Sequence, residues 1–398
     1  MEIPVLLWHF YLPRANLPRE ALINGSPAVG IELGTREINL ATSRLELSSP
    51  LAADAAAWDD FVDQHPEGRF AQLWGFREVL ERTYGYRTIY RKILLDGRWA
   101  GIFPAVAAGR GSRRLISQPF NEYGGPLTRD LSSAQLVELA KILFRLSEEE
   151  KCRSIEIRGG IGCEPMAESE FCKRHHLHSY AVLQLCEKDR LWKDTLTNEP
   201  RKAIKRSQKA GLQVEVLRGE SAIAAPFYNL YLVSMKRLGV PPHPADFFKH
   251  LASGFGERLV SAAVTHQNRR IAYLLGVVTG KRIQVYITAS DPEAWSLRPN
   301  DLAHWELMNW AFAIGIDVFD FGSARYAGQI HFKQKWGATF YEYSYYLIGP
   351  PNSELTSRVH SVDSSSKLMA ETANLWSRFV PLRMTAVLGR PIRRFLTK

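Results

Sequence analysis

The residues with the clearest chemical potential lie between positions 318 and 337. An apolar run, Val318–Phe321, leads into a turn that begins at Gly322, and Lys333 follows this turn. Glycine has no Cβ, so its backbone can approach a ligand closely. A lysine beyond such a turn can stabilise the oxyanion that develops during acyl transfer. The pattern indicates an acyl-transfer site with Lys333 as its catalytic residue; the alternative is a surface lysine beside an aromatic residue.

Several side chains near this lysine are candidates for contact with a substrate. Phe332 and Trp336 flank it, and we interpret both as walls of the site rather than as reacting groups. Arg325 lies just after the glycine turn and is a candidate anion ligand. Arg158 follows a predicted strand and has two interpretations that stay open: it binds an anion, or it pairs with the neighbouring Glu156.

A glycine-containing loop forms a second predicted wall. It contains Asn121, Glu122, Tyr123 and Gly124. A carboxylate that takes a proton from an acceptor amine or hydroxyl needs a raised pKa. We predict that Glu122 is such a general base and that its three neighbours bind substrate, with a hydrogen bond from Glu122 to a turn amide as the alternative.

The third candidate is a basic segment for which we predict a helix over 199–210. Arg201, Lys202 and Lys205 lie in it at spacings that bring like charges to i and i+4, where repulsion costs a few tenths of a kcal/mol for each pair. A helix that tolerates such repulsion is often matched by an anion. We predict that these side chains hold phosphates of a substrate, and a merely solvated helix is the alternative.

Composition limits the class of protein. The chain has 398 residues, 45% of them apolar, and a formal net charge of +10. At about 150 residues per domain, this length suggests two or three domains. No apolar run approaches the roughly 20 residues of a membrane span. The apolar N-terminus lacks the basic lead of a signal peptide, so a cytoplasmic protein is expected. A basic surface favours anionic partners.

The cysteines do not predict a metal centre. All four lie between Cys152 and Cys186, and three histidines share this window. No Cys-x-x-Cys pair occurs, and the spacings differ from those of structural zinc sites. We interpret these cysteines as reduced thiols and predict that no metal is bound.

The C-terminal segment 375–398 interleaves apolar and basic residues, and Pro381 and Pro391 are expected to break it into short pieces. Such a segment can lie on an anionic membrane surface, where each basic residue contributes about 1 kcal/mol. Docking on the protein's own body is the alternative. A chain that is cytoplasmic and peripheral at the inner face of the membrane would fit the first interpretation.

The order of predicted elements indicates two similar modules. Each contains a hairpin, a proline-containing loop, a helix and a short strand; the first hairpin turns at Asp96 and Gly97. Hairpins give antiparallel pairs and strand–helix–strand crossovers give parallel ones, so we predict an α/β fold with mixed sheets. The expected division is an irregular leader 1–42, a first module 43–190, a second module 191–348, and a linker with basic tail 349–398.

The motifs resemble those of a known family. The sequence Phe-Lys-x-x-Trp-Gly after Phe-Asp-Phe-Gly is similar to the signature region of FemAB-like (FemABX-related) proteins in the GNAT superfamily. The resemblance covers about 45–348 and is strongest to the branch associated with exosortases and exopolysaccharides. Where relatives more often read Gly-Arg-Ser, this chain has Gly322-Ser-Ala-Arg325. Further matching segments are 117–126, 155–158, 201–211 and 235–241.

The resemblance implies two tandem GNAT-like acyltransferase modules with a cleft between them. It implies transfer of an acyl or aminoacyl group to an amine or hydroxyl of a phosphorylated or lipid-linked envelope precursor, either exopolysaccharide or peptidoglycan. In such relatives the lysine that matches Lys333 acts on the oxyanion or holds a donor phosphate. The donor is acyl-CoA or aminoacyl-tRNA, and no clean acyl-CoA-binding turn occurs.

Two alternatives to this function stay open. One is a tRNA-dependent aminoacyltransferase that builds peptidoglycan cross-bridges, for which tRNA is a partner. The other is a non-catalytic scaffold at the membrane surface, with a degenerate GNAT fold.

Overall fold

The computed structural model describes residues 44–108, 114–121, 124–159, 161–325, 327–351 and 373–396. Two of the predicted site residues, Glu122 and Tyr123, lie outside this part of the chain. The predicted leader 1–42 and most of the predicted linker also lie outside it.

The centre of the fold is one mixed β-sheet. Its order within the described residues is β1-β2-β3-β4-β6-β13-β7-β12-β11-β10-β9-β8, and β5 pairs with β3. The strands are β1 (Leu45–Ser48), β2 (Arg87–Leu95), β3 (Arg98–Ala108), β4 (Arg114–Ser117), β5 (Leu127–Thr128), β6 (Ser154–Arg158), β7 (Cys172–Gln184), β8 (Gln213–Arg218), β9 (Leu259–His266), β10 (Arg269–Thr279), β11 (Arg282–Ser290), β12 (Val318–Ala324) and β13 (Thr339–Ile348).

Helices cover both faces of this sheet. They are α1 (Ala55–Gln64), α2 (Trp74–Tyr84), α3 (Ser133–Glu149), α4 (Lys188–Arg190), α5 (Asn198–Lys209), α6 (Phe227–Arg237), α7 (Ala245–Phe255), α8 (Pro299–Ala313), α9 (Ala327–Lys335), α10 (373–379) and α11 (Leu382–Leu396).

The buried side chains form separate cores on the two faces. Along β10, Tyr273 and Leu275 join one core and Leu274 joins another, as the alternation of a strand requires. We call β1–β7 with α1–α3 the first half of the chain, and β8–β13 with α5–α9 the second half. The first core also contains residues of α1 and α2 from the first half and of α6 and α7 from the second half, so it spans both halves. On the opposite face, α5 and α8 cover the second half and α3 covers the first.

The two halves repeat one plan and exchange one strand. The antiparallel strands β2-β3-β4 continue into a parallel β4–β6 pair, and β9-β10-β11 continue into a parallel β11–β12 pair. The first half's long strand β7 pairs with β12, while β13 returns from the second half to pair with β6 and β7. The predicted α/β fold with mixed sheets is confirmed. The module boundaries near 190 and 348 stay predictions.

The C-terminal tail departs from one expectation. It was expected to be broken at both prolines, but α11 continues through Pro391. Proline removes one backbone N–H and tends to kink a helix. Pro391 is exposed, so the carbonyl that loses this partner can be hydrated. One side of the tail docks on the body of the protein, where Trp376 and Thr385 are buried, and the other side is exposed.

Tight backbone contact joins α2 of the first half to α7 of the second. A Cβ built on Gly75 would lie 2.3 Å from the carbonyl oxygen of Gly254. A second contact is made by α1, where Asp63 pairs with Arg258 at 2.7 Å and accepts a hydrogen bond from the Gly280 amide. These contacts hold the two halves as one body.

Replacing Gly75 with alanine should lower the free energy of unfolding by about 1–3 kcal/mol, because the added methyl group forces the two helices apart. Urea unfolding followed by circular dichroism measures this change. Gly328→Ala is the matched control, since a Cβ there meets no atom within 4 Å and alanine favours a helix. Equal stability of the two variants would contradict the close contact.

Within the described residues, no helix has both the length and the apolarity to cross a bilayer. The same part of the chain contains no group of three or more His, Cys, Asp or Glu side chains arranged to hold a metal ion.

Candidate active site

Lys333 is buried at the end of the central strand β12. Its side chain lies in α9 and is 6% exposed. The ammonium donates to the carbonyl oxygen of Gly322 at 2.7 Å and also to that of Ser323. Gly322 has φ +77°, a left-handed conformation that glycine adopts without strain. The turn and the lysine therefore fix each other, and Lys333 is not a surface lysine.

A buried carboxylate supports the same turn from the strand. Asp320 is 0% exposed and accepts a hydrogen bond from the Gly322 amide at 2.8 Å. Its other oxygen lies 3.3 Å from Arg69 Nε and 3.3 Å from Arg282 Nη1. Arg69 comes from the first half and Arg282 from the second. The aspartate of the Phe-Asp-Phe-Gly motif thus joins both halves through a buried charge cluster, a role that the sequence did not predict.

The sheet opens where this turn lies. Strands β11 and β12 pair in parallel only over Arg282–Gln284 and Val318–Asp320, although β11 continues to Ser290. The pairing of β12 with β7 also shifts register between Asp320 and Ser323. Ligands in α/β sheets bind outside the carboxyl ends of such strands. Beyond Gln284 and Asp320 the two strands therefore separate, beside the Gly322 turn and Lys333.

Arg158 and Arg325 are close enough for their charges to interact. Arg158 Nε bonds Glu156 at 2.7 Å, and its guanidinium lies 5.9 Å from the Tyr345 ring centroid. Burial alone would lower the pKa of Arg158, and the nearby Arg325 charge acts in the same direction. The Glu156 carboxylate outweighs both effects, so the pKa of Arg158 lies above its ordinary value. Arg325 Nε donates to Ser323 Oγ at 3.3 Å. Pairing of Arg158 with Glu156 is therefore observed.

The predicted loop wall reaches this position through its glycine. The Gly124 amide donates to the Gly159 carbonyl at 3.0 Å, directly after Arg158. Asn121 is buried, and its Nδ2 has no hydrogen-bond partner among the described residues. Gln118 was not predicted; both polar atoms of its buried amide also lack a partner in that part of the chain. Its φ of +55° is uncommon for a residue other than glycine.

The basic helix was predicted correctly as α5, but its charged side chains point outward. Lys202 and Lys205 are exposed, and Arg201 Nε bonds the Thr197 carbonyl at 3.2 Å. The helix is tied to α9 by Glu199, whose carboxylate lies 3.2 Å from the buried Lys335 ammonium. Phosphate binding by this helix would therefore occur on its outer surface. Lys335 also pairs with Asp301 at 3.0 Å, a second role that the sequence did not indicate.

Phe332 and Trp336 belong to an aromatic core behind the lysine. Trp336 is completely buried, and its ring lies 5.8 Å from His304. Phe332 lies 5.0 Å from the same imidazole and is only partly buried. Trp336 thus acts on the site through packing, whereas Phe332 remains a candidate wall.

Stability should fall as the pH drops from about 6.5 toward 4, because burial lowers the pKa of His304 to about 4. The unfolded chain then takes up a proton that the folded chain does not, which costs roughly 2 kcal/mol between pH 7 and 5. Urea unfolding at several pH values measures this slope. His304→Phe should flatten it by that amount, and an unchanged slope would contradict the assignment.

Comparison with known proteins agrees with this geometry. Residues 197–334 match the family model of an acetyltransferase (GNAT) domain, a range that begins before α5 and ends just after Lys333. The chain therefore carries a GNAT acetyltransferase domain and is an acyltransferase by class. A search of curated protein sequences finds no match to it.

Solved structures show the same fold over most of the chain. The crystal structure of FemX superposes with a TM-score of 0.63 at 14% identity, covering 80% of this chain and 99% of FemX. A domain from Agrobacterium fabrum is described as the C-terminal part of a lysylphosphatidylglycerol synthetase. It superposes with a TM-score of 0.53 at 14% identity, covering 78% of this chain and 96% of that domain. L-PGS from Bacillus licheniformis superposes with a TM-score of 0.50 at 14% identity, covering 72% of this chain and 95% of L-PGS. The chain thus has a FemX-like fold.

Proposed function

We propose that this protein transfers an acyl or aminoacyl group to an amine or hydroxyl of a cell-envelope precursor, in the exopolysaccharide or peptidoglycan class. The observation that supports this most directly is the buried Lys333 ammonium, which faces the strand end where β11 and β12 separate. A cation held in a site shielded from water stabilises negative charge far more than one in solvent.

In the proposed reaction the acceptor nitrogen or oxygen attacks the donor carbonyl carbon and a tetrahedral oxyanion forms. Lys333 stabilises that oxyanion. The bond from the carbonyl carbon to the leaving sulfur or oxygen then breaks, and the acceptor's proton passes to a base and on to the leaving group. Glu122 is proposed as this base. Asn121, Tyr123, Gly124, Arg158 and Arg325 are proposed to bind the acceptor.

The donor is proposed to be acyl-CoA or aminoacyl-tRNA. The exposed basic face of α5, with Lys202 and Lys205 directed to solvent, favours an extended polyanion and so supports a tRNA-dependent reaction as the second candidate. The names of two fold relatives, FemX and lysylphosphatidylglycerol synthetase, are consistent with envelope chemistry. We propose that the protein works in the cytoplasm at the inner face of the membrane.

Thermal unfolding in the presence of separate donors tests this function. A ligand at 100 times its dissociation constant stabilises the native state by about 2.7 kcal/mol. We expect acetyl-CoA, a longer acyl-CoA or aminoacyl-tRNA to raise the melting temperature, and deacylated tRNA and CoA disulfide serve as controls. If no donor raises it, a non-catalytic scaffold becomes the better account.

A further inference from the structure

The described C-terminal segment 373–396 presents an unusual surface. Leu375, Phe379, Met384 and Val387 are all exposed, with Phe379 and Val387 at 67% and 68%. The segment contains five arginines and no Asp or Glu. A patch of exposed apolar residues usually marks an interaction site.

The opposite side of this segment is firmly attached to the protein. Arg393 is 9% exposed and donates to the Pro241 carbonyl at 2.6 Å. Its guanidinium also lies 5.7 Å from the ring centroid of Phe120, the residue directly before the predicted loop wall. A Cβ on Gly389 would lie 2.3 Å from the Pro242 carbonyl oxygen, so α11 closely approaches the connection between α6 and α7. These contacts determine which side of α11 faces outward.

The outward side of α11 alternates positive and apolar groups. Arg383, Val387, Arg390 and Arg394 recur at spacings of three and four residues and are exposed, and Met384 lies beside them. In α10, Leu375 and Phe379 stand one turn apart with Arg378 between them. Apolar side chains that enter the acyl boundary and arginines that meet phosphate are the pattern of helices lying on anionic membranes.

We infer that the outward surface of residues 373–396 binds an anionic lipid bilayer. The occupant is chosen by charge complementarity: four exposed arginines with no Asp or Glu among them fit a negative surface, and the exposed apolar side chains fit the hydrocarbon boundary of a bilayer. The docked side of α11 contacts Phe120, the residue directly before the predicted loop wall, so this loop begins beside the helix that carries the surface.

Co-sedimentation of the full chain with vesicles tests this surface. We expect binding to vesicles of phosphatidylcholine with 30% phosphatidylglycerol (roughly a biological anionic fraction), little binding to phosphatidylcholine alone, and release by salt. The variant Arg383→Gln/Arg390→Gln should bind about 25-fold more weakly, at about fivefold for each arginine. Phe379→Ser/Val387→Ser should also weaken binding by at least about tenfold.

Matched controls keep the outcome clear. Leu51→Ser/Ile314→Ser removes two exposed apolar side chains from elsewhere and should bind vesicles like the wild type. Far-UV circular dichroism and the donor-induced rise in melting temperature should be unchanged in every variant. Absence of vesicle binding, equal binding to neutral vesicles, or full binding by both tail variants would each overturn the inference. Vesicle binding without any response to donors would support the surface while contradicting the transferase.

Discussion

Replacing Lys333 with methionine should reduce the turnover of acyl transfer by about 10²–10³-fold, the effect of removing one oxyanion donor. Methionine keeps much of the aliphatic stem but cannot donate a hydrogen bond or carry charge. Donor binding should change little, because the ammonium acts mainly on charge that develops in the transition state. Single-turnover rates at saturating donor, together with donor affinity, measure both effects.

The neighbouring Lys335 provides a matched control for this variant. Both lysines are buried on α9, but Lys335 pairs with Glu199 and Asp301 rather than with the turn at Gly322. Lys335→Met should destabilise the fold by leaving Asp301 buried without its partner, while turnover of the folded enzyme stays within about tenfold of wild type. Turnover of Lys333→Met within a few-fold of wild type would rule out the proposed role.

Changing Asp320 to asparagine should cost about 3 kcal/mol of folding free energy, because it removes the charge that two buried guanidinium groups share and leaves Arg69 with Glu67 alone. The lost partners are Arg69 and Arg282, each 3.3 Å from the carboxylate. The carboxylate also fixes the Gly322 amide, so turnover of the folded variant should fall as the Lys333 turn shifts. Urea unfolding and turnover below the transition measure the two effects.

An exposed ion pair gives the comparison for that experiment. Asp246 pairs with Lys249 at the protein surface, and Asp246→Asn should change stability by less than about 0.5 kcal/mol. Similar losses at Asp320 and Asp246 would contradict a charged junction between the two halves.

Patterns of neighbouring residues were sufficient to predict several elements of this fold. The Asp96-Gly97 turn predicted the β2–β3 hairpin, and the basic segment 199–210 predicted α5. Such elements depend on turn chemistry and charge within a few residues of each other. The mixed α/β fold followed from hairpins and crossovers, and the position of Lys333 after a short strand was also predicted.

The rest depends on contacts between distant residues. Strand exchange joins β13 to β6, and no local pattern encodes that partner. The helix α9 was not predicted, because its apolar residues do not recur at the spacing of a helix. Its position depends instead on the ion pair between Lys335 and Glu199 of α5. The ion pair between Arg69 and Asp320 joins positions 251 residues apart, so the sequence alone gave no reason to connect them. Gln118 gave no signal beyond its place in a loop.

The most direct test of the central claim is transfer of radiolabel from a donor to an acceptor. Purified protein would be incubated with a bacterial envelope extract and either radiolabelled acetyl-CoA or radiolabelled aminoacyl-tRNA. The account predicts enzyme-dependent label in the lipid-linked or precursor fraction with one donor class, and loss of that label with Lys333→Met but not with Lys335→Met. No enzyme-dependent label with either donor, or equal label with Lys333→Met, would contradict it.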